Sequence, residues 1–181
     1  MANQVSDPTL DRAQSGDGDA FAQLVAPTLP TAYRLAYGML MNRDDAMDAV
    51  QEATVRAWRK INNVTRGLPF APWYLGIVTR ECRQATGFRW RFMSPLGEAV
   101  AGDRTADVDL AVDMRSAMRS LSPAHRQVVL LHFYGDLTLE QVGLATGTPL
   151  GTVKSRLSRA LELLRSRLGE QDLVLEVKHD A

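Results

Sequence analysis

The sequence predicts an all-α protein made of two small helical domains joined by a flexible linker. Helix-capping residues and helical periodicity recur along the chain, and only the tail segment LVLEV, at residues 173–177, resembles a strand. The segment 94–109 is rich in Gly, Ala and Asp and poor in large apolar residues, as linkers are. We therefore predict helical domains at residues 16–93 and 110–168, a linker at 94–109 and an acidic tail at 169–181.

The composition excludes several classes of protein. The chain has 181 residues, of which 45% are hydrophobic, an ordinary share for a globular protein. Its single cysteine, Cys82, cannot form an internal disulfide or a cysteine-rich zinc site. No apolar run approaches the roughly 20 residues of a membrane span, and the first residues are polar and acidic, unlike a signal peptide. These features predict a soluble, cytoplasmic protein.

The first domain contains a helix predicted from Asp44 onwards, DDAMDAVQEATVRAWRKI. Helical spacing predicts one buried face, made of Met47, Val50, Thr54, Trp58 and Ile61. The opposite face is acidic near the start of the helix and basic near its end, which suits the helix dipole: Asp45, Asp48, Glu52, Arg56 and Arg59. Upstream, Pro27 and Pro30 should break or bend the chain.

Two basic segments are hidden in a chain whose formal net charge is zero. Residues 61–93 contain five arginines and one acidic residue, a net charge of +4, and residues 122–168 have a net charge of +3. Basic islands in an otherwise acidic chain predict two separate contacts with a polyanion. The alternative is chance clustering on solvated surfaces.

Aromatic residues surround the first basic segment. Seven of the twelve aromatics of the chain fall within residues 58–92. Rings beside arginines suit unpaired nucleic-acid bases, which stack on the rings while cations neutralise the backbone. Trp58 and Trp73 have the spacing of core residues, whereas Phe70, expected in a loop containing Pro69, is the better candidate for stacking.

The second domain has the pattern of a helix-turn-helix. Ser122-Pro123 opens a helix that should end at Gly135-Asp136, and Thr138 with Gln141 forms a capping box for a short helix. Gly147 makes a turn, and Thr148-Pro149 opens a longer, more basic helix. A plain pair of antiparallel helices with a solvated basic face is the alternative.

The last helix has an apolar and a polar face. At 100° per residue, its core stripe is Val153, Leu157, Leu161, Leu164 and Leu168. Short or basic side chains that could enter a major groove occupy other positions of its first half: Thr152, Lys154, Ser155, Arg156, Ser158 and Arg159. Arg159 and Ser155 could contact a base edge or a phosphate, and Lys154 and Arg156 suit phosphates.

Together these segments resemble the extracytoplasmic-function sigma factors of bacterial RNA polymerase. The similar parts are GDGDAFAQLV, DDAMDAVQEATVRAWRKI, PWYLGIVTRECR and LSPAHRQVVLLHFYGDLTLEQVGLATGTPLGTVKSRLSRALELLR, which cover roughly residues 16–168. The resemblance implies a sigma-2 and a sigma-4 domain, no enzymatic activity and no cofactor. It implies that the chain binds core RNA polymerase, through the β′ clamp helices and the β flap, and directs it to promoter DNA.

The resemblance also implies roles for individual residues. The segment that docks on the β′ clamp helices is matched by Asp48, Gln51 and Glu52. Those that match the −10 recognition region, where a flipped base sits in a loop pocket, are Arg66, Phe70, Arg80 and Arg83. The −35 recognition helix is matched by the polar and basic residues of the last helix, Thr152, Lys154, Ser155, Arg156, Ser158 and Arg159. Sigma factors of this kind are commonly held by an anti-sigma protein, which becomes an expected partner.

Some positions depart from the family pattern. Pro27 and Pro30 interrupt a stretch that is usually helical, the −10 loop carries Pro69 and Pro72, and Cys82 and Thr86 replace other polar residues. These departures leave the −10 sequence preference unassigned.

Two other functions remain open at this stage. A stand-alone helix-turn-helix regulator would dimerise and bind a palindrome. A helical metalloenzyme could use Asp45, Asp48 and Glu52, although the Glu-x-x-His motifs of helical dinuclear sites are missing. No metal ligands are therefore assigned.

Overall fold

All regular secondary structure in the residues that the structure describes is helical, which confirms the all-α fold class. The structure, a computed structural model, describes residues 7–65, 69–92 and 116–168, with backbone only for 86–92. Its helices are α1 (Pro8–Gln14), α2 (Gly18–Val25), α3 (Leu29–Leu40), α4 (Arg43–Arg59), α5 (Phe70–Phe92), α6 (116–120), α7 (Pro123–Val129), α8 (Leu139–Thr146) and α9 (Leu150–Leu168). The predicted linker, the acidic tail and its segment 173–177 lie outside these ranges.

Helix α4 packs on α3 and α5 through a stripe of small residues. Its buried residues are Ala46, Ala49, Val50, Ala53 and Ala57. The prediction of a buried face centred on larger side chains was wrong in part, since Met47 is 51% exposed and Trp58 is 37% exposed. Methyl side chains allow helix axes to approach closely, so the alanines define the face that the two neighbouring helices cover.

Two polar contacts tie α4 to α5. The hydroxyl groups of Thr54 and Tyr74 lie 2.7 Å apart, and the Thr54 hydroxyl also donates to the carbonyl of Val50. The Arg56 guanidinium Nε lies 3.1 Å from Oε1 of Glu81, whose side chain is buried. Attraction to Arg56 offsets part of the cost of burying this carboxylate, although the contact is an ion pair without hydrogen-bond geometry.

The two prolines between α2 and α3 are accommodated at a bend. A 3-10 turn covers Ala26–Thr28, and α3 begins at Leu29 with Pro30 in its first turn. The first residues of a helix donate no intrahelical hydrogen bond, so proline is tolerated there. The predicted interruption is therefore confined to one short turn.

Helices α7 to α9 form the predicted helix-turn-helix bundle. Ser122 caps α7, which continues as a π-helical segment over Leu130–Tyr134 and ends at Gly135. The capping box of Thr138 and Gln141 is present at the start of α8. Gly147 has a φ of +64°, the left-handed conformation that favours glycine, and it turns the chain into α9.

The two bundles contact each other. Helix α5 packs on α8, and α3 packs on the π-helical segment Leu130–Tyr134. The buried apolar residues of both bundles join in a single cluster. No sequence pattern predicts this contact.

Candidate nucleic-acid and protein interfaces

The acidic face of α4 is open to solvent. Asn42 caps the helix, because its side-chain oxygen accepts from the backbone N–H groups of Asp44, at 2.9 Å, and Asp45, at 3.0 Å. Asp48, Gln51 and Glu52 are all exposed on the side away from the alanine stripe. These three residues, the α4 docking face below, can therefore meet a basic partner without rearrangement of the bundle.

Two apolar residues beside the α4 docking face are also exposed, and the sequence interpretation missed them. Met47 is 51% exposed and Val55 is 46% exposed. At 100° per residue they lie on either side of Gln51, and exposed apolar side chains beside charges are typical of a protein contact. The signal that could have found them is the alanine spacing at 46, 49, 53 and 57, which identifies the buried face and leaves Met47 and Val55 outside it.

Two of the predicted −10 arginines lie on one exposed stretch of α5. Arg80 and Arg83 line a cleft of about 680 Å³ together with Lys60, which follows α4. The three cations concentrate positive charge on one side of the first bundle. Arg66, the third predicted arginine, lies outside the described residues.

Phe70 is not in a loop, as the sequence interpretation expected, but is the first residue of α5. Its ring is stacked on Tyr74 at a centroid distance of 5.7 Å and lies 5.6 Å from the ring of Trp73. Phe21 from α2 meets it edge-on at 6.4 Å. The ring is therefore half-buried in an aromatic cluster, and a base could reach only its remaining exposed part.

The predicted −35 residues all lie on the first half of α9. Lys154, Ser155, Ser158 and Arg159 are exposed, while Thr152 and Arg156 are half-buried. The opposite side of the helix is buried by Val153, Leu157, Ala160, Leu161 and Leu164, close to the predicted stripe. Because its apolar side is packed on the bundle, α9 presents its polar side to solvent.

Three of these side chains have neighbours that bear on DNA binding. Nη1 of Arg156 lies 3.4 Å from the hydroxyl of Thr148 in the turn, and Nη1 of Arg159 lies 2.9 Å from Oε2 of Glu162. Lys154 lies near Glu140 of α8. Hydrogen bonds from the Glu140 backbone N–H and the Thr138 side chain, followed by attraction to Lys154, lower the pKa of Glu140. Carboxylates therefore lie beside Lys154 and Arg159, and a hydroxyl lies beside Arg156.

The described residues contain no group of side chains that could hold a metal ion. No three His, Cys, Asp or Glu side chains among them come close enough to hold a metal ion, including those around Asp45, Asp48 and Glu52. Cys82 is fully buried, and burial raises the pKa of its thiol to about 12. Within the same residues, no helix is long and apolar enough to cross a membrane.

The fold and its surfaces define a class of protein. A helix-turn-helix with an exposed polar and basic recognition helix is joined to a second helical bundle that presents a basic face on α5 and an acidic face on α4. This combination is typical of a DNA-binding transcription protein with two helical bundles.

Comparison with known proteins identifies the family. Residues 24–92 match the family model for Sigma-70 region 2, and residues 117–166 match that for Sigma-70, region 4. The chain is 32% identical over 146 residues to RNA polymerase sigma factor SigV of Bacillus subtilis (strain 168), covering 78% of this chain and 86% of that protein. It is 33% identical over 178 residues to ECF RNA polymerase sigma factor SigE of Mycolicibacterium smegmatis, covering 92% of this chain and 67% of that protein. The chain belongs to the extracytoplasmic-function (ECF) RNA polymerase sigma factors, which act in promoter-specific transcription.

Solved structures show the same fold. The sigma factor RpoE of Bartonella quintana, in complex with the anti-sigma factor NepR, aligns with a TM-score of 0.68 at 25% sequence identity. That alignment covers 83% of this chain and 98% of RpoE. CnrH, in complex with the cytosolic domain of CnrY, aligns with a TM-score of 0.68 at 24% identity, covering 87% of this chain and 93% of CnrH.

Proposed function

We propose that this sigma factor docks on core RNA polymerase through α4, reads the −35 element of promoter DNA with α9 and captures the opened −10 element with α5 and the segment before it. The observation that carries the proposal is the recognition helix, which exposes Lys154, Ser155, Ser158 and Arg159 while its apolar side is buried. The protein acts without catalysis of its own, in the cytoplasm where the polymerase works.

The −35 contact uses the start of α9. The first turn of the helix leaves backbone N–H groups free, so it favours a phosphate there, while exposed side chains further along reach base edges. Arg159 can bind a guanine with two hydrogen bonds, and Lys154 and Arg156 suit phosphates. Thr152, Ser155 and Ser158 are short enough to let the helix enter the groove.

The −10 contact uses the basic face of α5. Arg80 and Arg83 are exposed beside Lys60 and can neutralise the backbone of a separated strand. We assign Arg66 to the same contact from its position in the family pattern. Phe70, half-buried at the start of α5, offers the exposed part of its ring to a base.

The polymerase contact uses the α4 docking face. Asp48, Gln51 and Glu52 are exposed, so they can meet a basic partner helix such as the β′ clamp helices, and Met47 and Val55 add apolar area. The second bundle is the part that would lie on the β flap. Binding of both bundles to one polymerase would combine two weak DNA contacts into a specific one.

An anti-sigma protein is the second expected partner. The support is the RpoE structure, a complex of a similar sigma factor with the anti-sigma factor NepR. Such a partner would compete with the polymerase for the exposed surfaces of the two bundles.

The test is run-off transcription with purified core polymerase on a promoter library. Asp48→Arg reverses the charge at the centre of the α4 docking face, so transcripts should be lost together with co-migration of the chain and the core enzyme. Asp19→Arg is the matched control, because Asp19 is an exposed carboxylate on α2 outside that face. Equal core binding by both variants, or a chain that redirects no start site, would contradict the proposal.

A further inference from the structure

The first two helices, α1 and α2, pack on each other. Asp7 caps α1, because its side-chain oxygen accepts from the backbone N–H of Thr9 at 2.9 Å, and Asp17 caps α2 in the same way through Ala20, at 3.0 Å. Nε of Arg12 donates to Oδ2 of Asp17 at 2.9 Å across the connection between the two helices. These contacts hold α1 and α2, the N-terminal helix pair, in one arrangement.

The last residue of α1 holds the turn that follows α4. Nε2 of Gln14 donates to the backbone oxygens of Ile61 and Val64, each at 3.2 Å. Both of these apolar residues are buried, at 5% and 4% exposure. A primary amide has two N–H donors and buried backbone oxygens need partners, so one side chain satisfies both carbonyls. The chain between α4 and α5 is therefore held at Val64 by a residue 50 positions away in the sequence.

Helix α2 holds the start of α5. The ring of Phe21 is buried, meets the ring of Phe70 edge-on at 6.4 Å and lies 5.1 Å from the ring of Trp58, near the end of α4. Edge-on and tilted pairs of rings are favourable packing arrangements. The N-terminal helix pair therefore contacts both ends of the segment 65–69, with Val64 before it and Phe70 after it.

The segment between these two anchors leads to the surface proposed for the −10 element. It has five residues, one of which is Arg66, and it is followed by α5 with its basic face. A short segment with fixed ends has fewer conformations than one with free ends, so fixed ends lower the entropic cost of ordering it on DNA. Gln14 is half-buried and Phe21 is buried, so any effect that they have on DNA passes through the residues that they hold.

We propose that the N-terminal helix pair is a support for −10 recognition, in which Gln14 and Phe21 are positioning residues. They hold Val64 and Phe70, so that the segment between these anchors and the basic face of α5 meet a separated −10 strand in one arrangement. This role rests on the proposed function of α5, whereas the anchoring of Val64 and Phe70 is a property of the free chain. Loss of an anchor should alter −10 selectivity while −35 selectivity and binding to core polymerase stay as in wild type.

Amide hydrogen exchange in the free, full-length chain tests the first anchor. The N–H of Val64 donates to the carbonyl of Ile61 at 3.1 Å, within the turn that Gln14 holds. Gln14→Glu keeps the size of the side chain but replaces both donors with a carboxylate that repels the two backbone oxygens, so exchange at Val64 should become about fivefold faster or more. Gln23→Glu is the matched control, because it makes the same charge change at an exposed residue of α2 and should leave this exchange unchanged. Equal exchange at Val64 in Gln14→Glu and wild type would overturn the proposal.

Run-off transcription with purified core polymerase measures the consequence for promoters. A promoter that wild type selects from the library is compared with versions scrambled at −10 or at −35. Gln14→Glu should reduce the preference for the intact −10 element by about fivefold and keep the −35 preference, because only the −10 surface loses its anchor. Gln14→Lys retains N–H donors at a similar reach and should keep most of the −10 preference. A chain that was merely less stable would transcribe less from every promoter in the same proportion, and that result for Gln14→Glu would refute the positioning role.

Phe21→Leu tests the second anchor. Leucine keeps an apolar side chain in the core but removes the ring that meets Phe70 edge-on. The variant should show the same selective loss of −10 preference, measured on chain whose helicity and core binding match those of wild type. An unchanged −10 preference in that folded variant would remove Phe21 from the support.

The wild-type chain separates this role from the proposed function. Equal run-off from the intact and the −10-scrambled promoter would refute the proposed −10 role of α5, and amide exchange would still decide whether Gln14 anchors Val64. A wild type that is selective at −10, together with a Gln14→Glu chain that is equally selective, would refute the positioning role alone.

Discussion

The ion pair between Arg159 and Glu162 would oppose the −35 contact that we propose for α9. Nη1 of Arg159 lies 2.9 Å from Oε2 of Glu162, and the two side chains are 66% and 57% exposed. Such an exposed pair is worth about 0.5 kcal/mol at most, because water and salt screen it. In the proposed −35 contact, Arg159 would have to give up this pair before binding a base.

The Arg159→Ala substitution should therefore weaken −35 binding by less than the whole base contact. A good contact to a guanine contributes about 1–3 kcal/mol, and subtraction of the lost pair leaves about 0.5–2.5 kcal/mol, or roughly a 2- to 70-fold loss of affinity. Glu162→Gln should act in the opposite direction, because it frees Arg159 for the DNA contact. Loss of both residues should resemble loss of Arg159 alone.

The assay is binding of the polymerase holoenzyme to upstream-element duplexes at one fixed salt concentration, with matched and scrambled −35 sequences. Arg167→Ala is the control, since Arg167 is an exposed arginine eight residues further along the same helix, or about 12 Å away. If Arg159→Ala weakened both duplexes equally, Arg159 would contact phosphate only, and its role as a reader of sequence would be refuted.

Two further predictions concern the first bundle. Burial raises the pKa of Cys82 from 9.0 to about 12, so the unfolded chain releases the thiol proton from about pH 9 while the folded chain retains it. Stability should therefore fall above about pH 9, and wild type should lose up to about 1.4 kcal/mol per pH unit more than Cys82→Ala in urea unfolding; parallel curves would contradict this. Tyr74→Phe removes the 2.7 Å contact with Thr54 and should cost about 1 kcal/mol of unfolding free energy, whereas the exposed Tyr134→Phe should cost nothing measurable. Equal stability of those two variants would show that the buried hydroxyl contributes nothing.

The helix-turn-helix was predictable because its signals are local. A cap at Ser122, a capping box at Thr138 and a glycine at residue 147 each act within one turn of helix, so no knowledge of distant contacts is needed. The exposed face of α9 followed from the same periodicity. Its predicted roles at the −35 element are still a proposal, because they depend on a DNA partner.

The buried face of α4 was predicted only in part, because the neighbouring helices decide which side of α4 they cover. Large apolar side chains define a plausible stripe through Met47 and Trp58, but α3 and α5 instead cover the alanines on another side. Phe70 was assigned to a loop for a similar reason: Pro69 and Pro72 suggest irregular backbone, yet α5 already begins at Phe70, two residues before Pro72. Proline is tolerated at several positions of the first turn of a helix, so Pro72 does not identify the residue at which α5 begins.

Small residues have one physical role in both parts of the fold. The alanines of α4 let α3 and α5 approach within the first bundle, and Gly76 lets α8 approach α5 between the bundles. The large apolar side chains near these contacts remain partly outside, as with Met47 at 51%, Val55 at 46% and Leu144 at 64% exposure. Exposed apolar area contributes free energy only when a partner covers it. Met47 and Val55 are such side chains, and a polymerase that covers them would gain binding energy without having to break the core of the first bundle.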